Sequence, residues 1–230
     1  MTPFLLRAYY SNRDIETHYT RHIAVKREGE RRSVVKMCVI DDQPFLPLNN
    51  LSSYGYKITH LGDIKDVEEI KNFDLILCDI IGVGSSFDHK MQGAALISEI
   101  KIAFPEKIVI AYTGASRNNP AAKQALSFAD ELIKKDDTIE RWKHVLDKNI
   151  AKILNPYEIW ERIRIDLIRN RVDTKDILIF EDAYVKSIIT KDVTFTSLKN
   201  VIAKSSLKTD ARSVITGIIS SAVFSLIVGS

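Results

Sequence analysis

Between residues 34 and 154 the chain alternates short, almost unbroken apolar runs with longer stretches of helical period. VVKMCVI ending at residue 40, YKIT (56–59), FDLILCDI (73–80), KIVIAYT (107–113) and DELIK (130–134) read as five strands. Most carry no polar alternation, as expected where helices cover both faces of a parallel sheet. The stretches between predict helices near 46–53 and over 63–72, 90–104, 119–129 and 137–154. In the third of these Ala94, Ile97, Ile100 and Phe104 form one apolar stripe, and Pro105 stops it. Pro120 follows the capping residues Asn118 and Asn119 and starts the fourth. Five strand–helix repeats predict a doubly wound α/β fold.

The character changes at Asn155 and Pro156. NPYEIWERIRIDLIRNRV and DTKDILIFEDAYVKSIIT predict two amphipathic helices, and TFTSLKNVIAKSS a shorter third. After Arg212 the chain runs SVITGIISSAVFSLIVGS, 18 positions without a charge. As a helix this tail reaches about 27 Å, the lower limit for crossing a bilayer. Gly217, Ser221, Ser225 and Gly229 put a small residue at every fourth position, the spacing that lets helices approach closely in lipid. Lys199, Lys204, Lys208 and Arg212 precede it, the charge pattern of a cytoplasmic flank. The alternative is a buried or subunit-packing helix. The expected organisation is an N-terminal extension (1–33), an α/β domain (34–150), a helical region (151–212) and a candidate membrane or oligomerisation helix (213–230).

Of the 230 residues, 45% are hydrophobic and 27% charged, which excludes disorder. The net charge is +3, distributed as +3 over residues 1–33, −3 over 34–150 and +3 over 151–230. An acidic middle excludes a uniformly basic nucleic-acid coat and leaves the flanks open to phosphate or an anionic surface. Cys38 and Cys78 both fall in strand-like runs and read as reduced core thiols of a cytosolic protein. Arg7 interrupts the N-terminal apolar stretch before a secretory signal could form. His18 and His22 have the spacing of a metal pair without a third ligand, and KREGERR (26–32) reads as an exposed charged loop.

In a doubly wound sheet the chemistry lies where the strands end. The first run ends in Asp41 and Asp42, the third in Asp79, the fourth in Thr113 and Gly114, the fifth in Lys134 and Lys135. Three carboxylates at one sheet edge repel one another, and a hard divalent cation with oxygen ligands, Mg²⁺ first among them, relieves that repulsion. A metal and a lysine together would neutralise a phosphoryl group.

The runs VIDDQP, LILCDI, IAYTGAS and ADELIKKDD, in that order and each on its strand, resemble the motifs of the receiver domain of bacterial two-component response regulators. The resemblance covers about residues 34–150 and implies the flavodoxin-like fold. It implies that Asp79 accepts a phosphoryl group from a phosphohistidine on a histidine kinase or phosphotransfer protein. Asp41 and Asp42, with Asp79 and the main chain of Ile81, would hold Mg²⁺. Thr113 would bind the new phosphoryl oxygens, and Lys135, matched through the Ala129–Asp130 step, would pair with them. The departures are Asp136 where the family has proline, Leu132 where it has an aromatic switch residue, and a long loop, IGVGSSFDHKMQ, before Gly93.

The implied function is a response regulator with output through self-association or a membrane-directed tail, cytoplasmic or anchored in the inner membrane. The alternatives are a DNA-binding regulator using residues 156–208 and a degenerate receiver acting as a protein-binding scaffold. DILIFEDAYVKSII offers no basic recognition face, so nucleic acid is the weaker partner.

Overall fold

The computed structural model describes residues 9–19, 28–114 and 119–205, with positions 207, 212 and 215. The chain divides into two compact units. One comprises residues 26–154, and the other joins residues 1–25 to 155–230.

In the first unit five parallel strands, β1 (Lys36–Ile40), β2 (Lys57–His60), β3 (Leu75–Asp79), β4 (Ile108–Thr113) and β5 (Glu131–Lys134), lie in the order β2-β1-β3-β4-β5. This is the doubly wound, flavodoxin-like order, whose direction of winding reverses between β1 and β3. All of β3 and β4 is buried, which accounts for their unbroken apolar runs. The helices are α2 (Glu28–Val34), α3 (Leu48–Ser53), α4 (Gly93–Ala103), α5 (Pro120–Phe128) and α6 (Ile139–Ile153). On one face of the sheet α4 and α5 pack Ala94, Ile97, Ile100, Ala122 and Ala125 against Cys38, Ile76, Cys78 and Val109. Asn119 caps α5 and Thr138 caps α6 through side-chain bonds to main-chain N–H groups of the first turn.

Residues 63–72 depart from the helix predicted for them. Only a 3-10 turn forms, Val67–Ile70, fixed by a capping box between Asp66 and Glu69. The carboxylate of Asp63 is drawn away to accept the Gly84 N–H, and the buried Lys107 ammonium takes the carbonyls of Lys71 and Phe73. Main-chain and side-chain groups that would extend the helix are thereby committed elsewhere.

The charged run after residue 26 also departs from an exposed loop. From Glu28 it forms α2, and Arg32, only 9% exposed, makes a two-pronged bond to Asp147 of α6 while its guanidinium lies over the Tyr56 ring.

In the second unit α1 (Asn12–Tyr19) packs with α7 (Pro156–Arg169) and α8 (Thr174–Ile189), and α9 (Thr196–Lys204) covers α8. Trp160 stacks on Tyr184 at a ring separation of 5.0 Å, and the Tyr184 hydroxyl donates to the Pro156 carbonyl. Two carboxylates of α8 hold the chain entering α1: Asp182 accepts the Tyr10 N–H and Glu181 the Asn12 N–H.

Among the described residues no helix is long and apolar enough to cross a membrane. The predicted terminal hydrophobic helix, 213–230, lies outside the described residues except for Ile215, which is fully buried. His22 of the histidine pair also lies outside them.

Candidate functional site

The carboxyl ends of β1, β3, β4 and β5 meet at the reversal point of the winding. Asp41 follows β1 and is fully buried; Asp79 ends β3 and is 4% exposed; Thr113 ends β4 and is buried; Asp42 is exposed. The ligand atoms of Asp41, Asp42 and Asp79 lie within 4.8 Å of one another. Lys135 follows β5 and reaches across, its Nζ 2.8 Å from Asp79 Oδ2 and 3.0 Å from Asp41 Oδ2. Lys134 is exposed and lies opposite Thr113 in the β4–β5 register.

The hydrogen bonds set different freedoms on the three acids. Asp41 Oδ1 accepts the Gln43 N–H at 2.9 Å, and its Oδ2 accepts both Lys135 and the Tyr112 hydroxyl, the latter at 2.7 Å. Asp79 Oδ1 accepts the Ile81 N–H at 3.2 Å. Asp42 accepts the Gln43 side-chain amide on its outer oxygen. Asp41 is thus held firmly, Asp79 is held from two sides, and Asp42 faces solvent.

Burial pushes the Asp79 carboxyl above the ordinary aspartate range, against the lowering effect of Lys135 and the Ile81 N–H. Burial also disfavours charge on Lys135, but its bonds to Asp79 and Asp41 outweigh that and hold the ammonium above the usual lysine value. One lysine offsets one of three acidic charges. The excess, carried on hard oxygen donors, fits a divalent cation such as Mg²⁺ held by Asp41, Asp42 and Asp79. Ile81, the remaining predicted ligand, follows Asp79 by two residues and is exposed, with its N–H on Asp79 Oδ1.

Two glycines shape this cluster. Gly93 opens α4 directly under β3, where a Cβ would lie 2.0 Å from the Asp79 carbonyl oxygen, so only glycine permits the approach. Gly82, at φ +91°, lies against Asp42, where a Cβ would meet Oδ1 at 2.3 Å. The long loop between them is pinned by Gly82 N–H to Gln92 Oε1 and by Asp88, which accepts the N–H groups of Lys90 and Met91.

Cys78, beside Asp79, is buried and its thiol is pushed up by that burial, which leaves it a core residue and no nucleophile. Leu132, at the position of the expected aromatic, is buried in β5 opposite Ala111. The aromatic at the site is Tyr112, a residue outside the set that the strand ends predict. Its signal was a hydroxyl-bearing ring inside an otherwise aliphatic strand, directly before Thr113.

No family model and no curated protein matches the chain. Among solved structures it is similar to a response regulator receiver domain protein (CheY-like) from Methanospirillum hungatei JF-1. That likeness covers 53% of this chain and 97% of the other at 18% identity, with a TM-score of 0.43. The receiver domain of NtrX from Brucella abortus is 23% identical over 50% of this chain and 98% of its own, with a TM-score of 0.42. A response regulator from Burkholderia pseudomallei, solved with a phosphorylated aspartic acid, a calcium ion and citrate, is 20% identical over 66% of this chain and 92% of its own, with a TM-score of 0.41. The strand order by itself defines the fold of the unit at residues 26–154, and it is the order found in receiver domains.

Proposed function

We propose that this unit is a phosphorylation-controlled receiver in which Asp79 is the phosphoryl acceptor. The observation that carries the reading is the Lys135 ammonium shared between buried Asp79 and Asp41, with Asp42 exposed alongside. An Asp79 oxygen attacks phosphorus while the P–N bond of a phosphohistidine donor breaks and the imidazole leaves with a proton. A carboxylate needs no general base for this step. Lys135 then exchanges a carboxylate partner for phosphoryl oxygens, and the Thr113 hydroxyl donates to another. Bound Mg²⁺ supplies positive charge against the acids and the incoming phosphoryl group.

The expected partner is a histidine kinase or phosphotransfer protein. Output is through the helical unit and the apolar segment 213–230, by self-association or at the inner membrane, with the receiver in the cytoplasm. The transcriptional alternative is disfavoured by α8, which is the core of its unit and not a free recognition helix. Nine of its residues are buried, and Glu181 and Asp182 point inward to the N-terminal segment.

The test is incubation with a small phosphodonor and Mg²⁺ followed by mass spectrometry. One hydroxylamine-labile phosphate is expected on Asp79, and none on Asp79→Asn. Equal uptake by the variant overturns the assignment, and no uptake by the native chain leaves the scaffold reading in its place. Removal of residues 213–230 should abolish output without altering Asp79 phosphorylation.

A further inference from the structure

The Tyr112 side chain touches both the acidic site and the helix that follows the last strand. It is fully buried in β4, in register with Asp79, and its carbonyl accepts the Ile80 N–H. Its hydroxyl donates to Asp41 Oδ2, the oxygen that also faces Lys135. The Lys135 ammonium lies 5.7 Å from the centre of its ring. On its other side the ring meets Phe45 at 5.5 Å and the Trp142 ring of α6 at 5.6 Å, edge-on at 74°. Phe45 and Trp142 close the triangle at 5.2 Å. Trp142 is fully buried, and its indole N–H has no acceptor among the described residues.

We infer that Tyr112 is a positioning residue that holds Asp41 and reports the state of the site to Trp142. The inference rests on the receiver reading of the site. A carboxylate offers about four acceptor positions, and three donors occupy Asp41 already. A cation that approaches Oδ2 therefore competes with the Tyr112 hydroxyl as well as with Lys135. When Lys135 turns to new oxygens, the hydroxyl remains on Asp41 Oδ2. The hydroxyl oxygen cannot shift without tilting a ring packed against Phe45 and Trp142, and a close-packed interior transmits that strain to its neighbours. Changes at Asp41 thus become changes at Trp142, some residues away from the acids and on the helix leading to the chain's second unit.

Two effects separate this from a merely structural role. Removal of the hydroxyl frees an Asp41 oxygen, so cation binding should tighten, whereas a general loosening of the core would weaken it. The Trp142 environment should also become less responsive to the cation.

The experiment uses the full chain with both tryptophans replaced biosynthetically by 5-fluorotryptophan. The two ¹⁹F resonances are assigned with Trp160→Phe. In the native chain Mg²⁺ should shift the Trp142 resonance and leave that of Trp160 in place. In Tyr112→Phe the metal-free Trp142 resonance should already be displaced, its Mg²⁺ response should shrink by at least half, and Mg²⁺ should bind about tenfold more tightly, the worth of one hydrogen bond to a charged group. Phe45→Leu, which disturbs the ring cluster but not Asp41, should displace the metal-free resonance and leave Mg²⁺ affinity as in the native chain. Native affinity and a native Trp142 response in Tyr112→Phe would overturn the inference, and so would weaker binding. Failure of the receiver reading is seen separately, as a native chain that binds Mg²⁺ with these shifts but takes up no phosphate on Asp79.

Discussion

The close approach of Gly82 to Asp42 gives a test of the metal site that does not touch a ligand. A methyl group at position 82 would lie 2.3 Å from Asp42 Oδ1, 2.8 Å from Cγ and 3.0 Å from Oδ2. Return to the 3.4 Å of ordinary contact requires the carboxylate to retreat by about 1 Å. Asp42 is exposed, so it can rotate into solvent at little cost in stability. That rotation carries the oxygen away from Asp41 and Asp79, and Mg²⁺ demands near-octahedral placement at about 2.0–2.1 Å, so a shift of this size removes the ligand. Alanine at φ +91° also carries backbone strain of about 1–2 kcal/mol. Gly62 supplies the control: it has φ +72°, and nothing lies within 4 Å of a Cβ there. Gly62→Ala and Gly82→Ala should therefore lose similar stability in urea unfolding without metal. Only Gly82→Ala should bind Mg²⁺ at least tenfold more weakly by calorimetric titration, about 1.4 kcal/mol. Equal Mg²⁺ affinity in the two variants would refute the placement of Asp42 in the cation site.

Three further outcomes are expected. Gly93→Ala sets a methyl group against main-chain atoms of Asp79 and Ile80, which cannot rotate away, so it should cost about 3 kcal/mol or more and be the most destabilising of the glycine variants in urea. Lys107→Met should cost about 2 kcal/mol in the same measurement, because it keeps the buried stem but leaves the carbonyls of Lys71 and Phe73 without their donor; native stability would show those bonds to be idle. Asp79→Asn should raise the melting temperature of the metal-free protein at neutral pH. The Asp79 carboxyl is raised in the folded state, so the folded chain holds the proton more tightly, and stability falls as pH rises from the unfolded value through the folded one. The gain should vanish below the ordinary carboxylate range, and a gain that persists in acid would assign it to packing instead.

The centre of the sheet and its candidate edge were legible because β1, β3 and β4 obey one local rule, whereas the edge strand β2 has no buried residue. Continuous Val, Ile and Leu runs can be satisfied only by a strand covered on both faces, and in β3 and β4 every residue is buried. Strand ends follow directly from where those runs stop, so Asp41, Asp42, Asp79, Thr113 and the Lys134–Lys135 pair could be assembled from one dimension, while the choice of Lys135 over Lys134 came from the receiver resemblance. The segment 63–72 failed the same treatment because its helical period is real but its ends are claimed by distant groups, Gly84 on one side and Lys107 on the other. Pairings of that kind leave no periodic trace.

Arg32 and Tyr112 extend the point from the backbone to the side chains. A charged run at residues 26–32 resembles any solvated segment until Asp147, more than a hundred residues later, supplies the bidentate acceptor that lets one of its arginines be buried. Tyr112 sits in an apolar run where a tyrosine reads as bulk, and its hydroxyl acquires meaning only when β1 brings Asp41 alongside. The same holds for Tyr10 and Asn12, whose main-chain N–H groups find Asp182 and Glu181 on α8. In each case the buried polar group is tolerated because a partner remote in sequence satisfies it, and the penalty for leaving it unpaired makes the long-range contact specific. Local pattern therefore locates the sheet and the acids of the candidate site, while the contacts that hold those acids in place become visible only once the chain is folded.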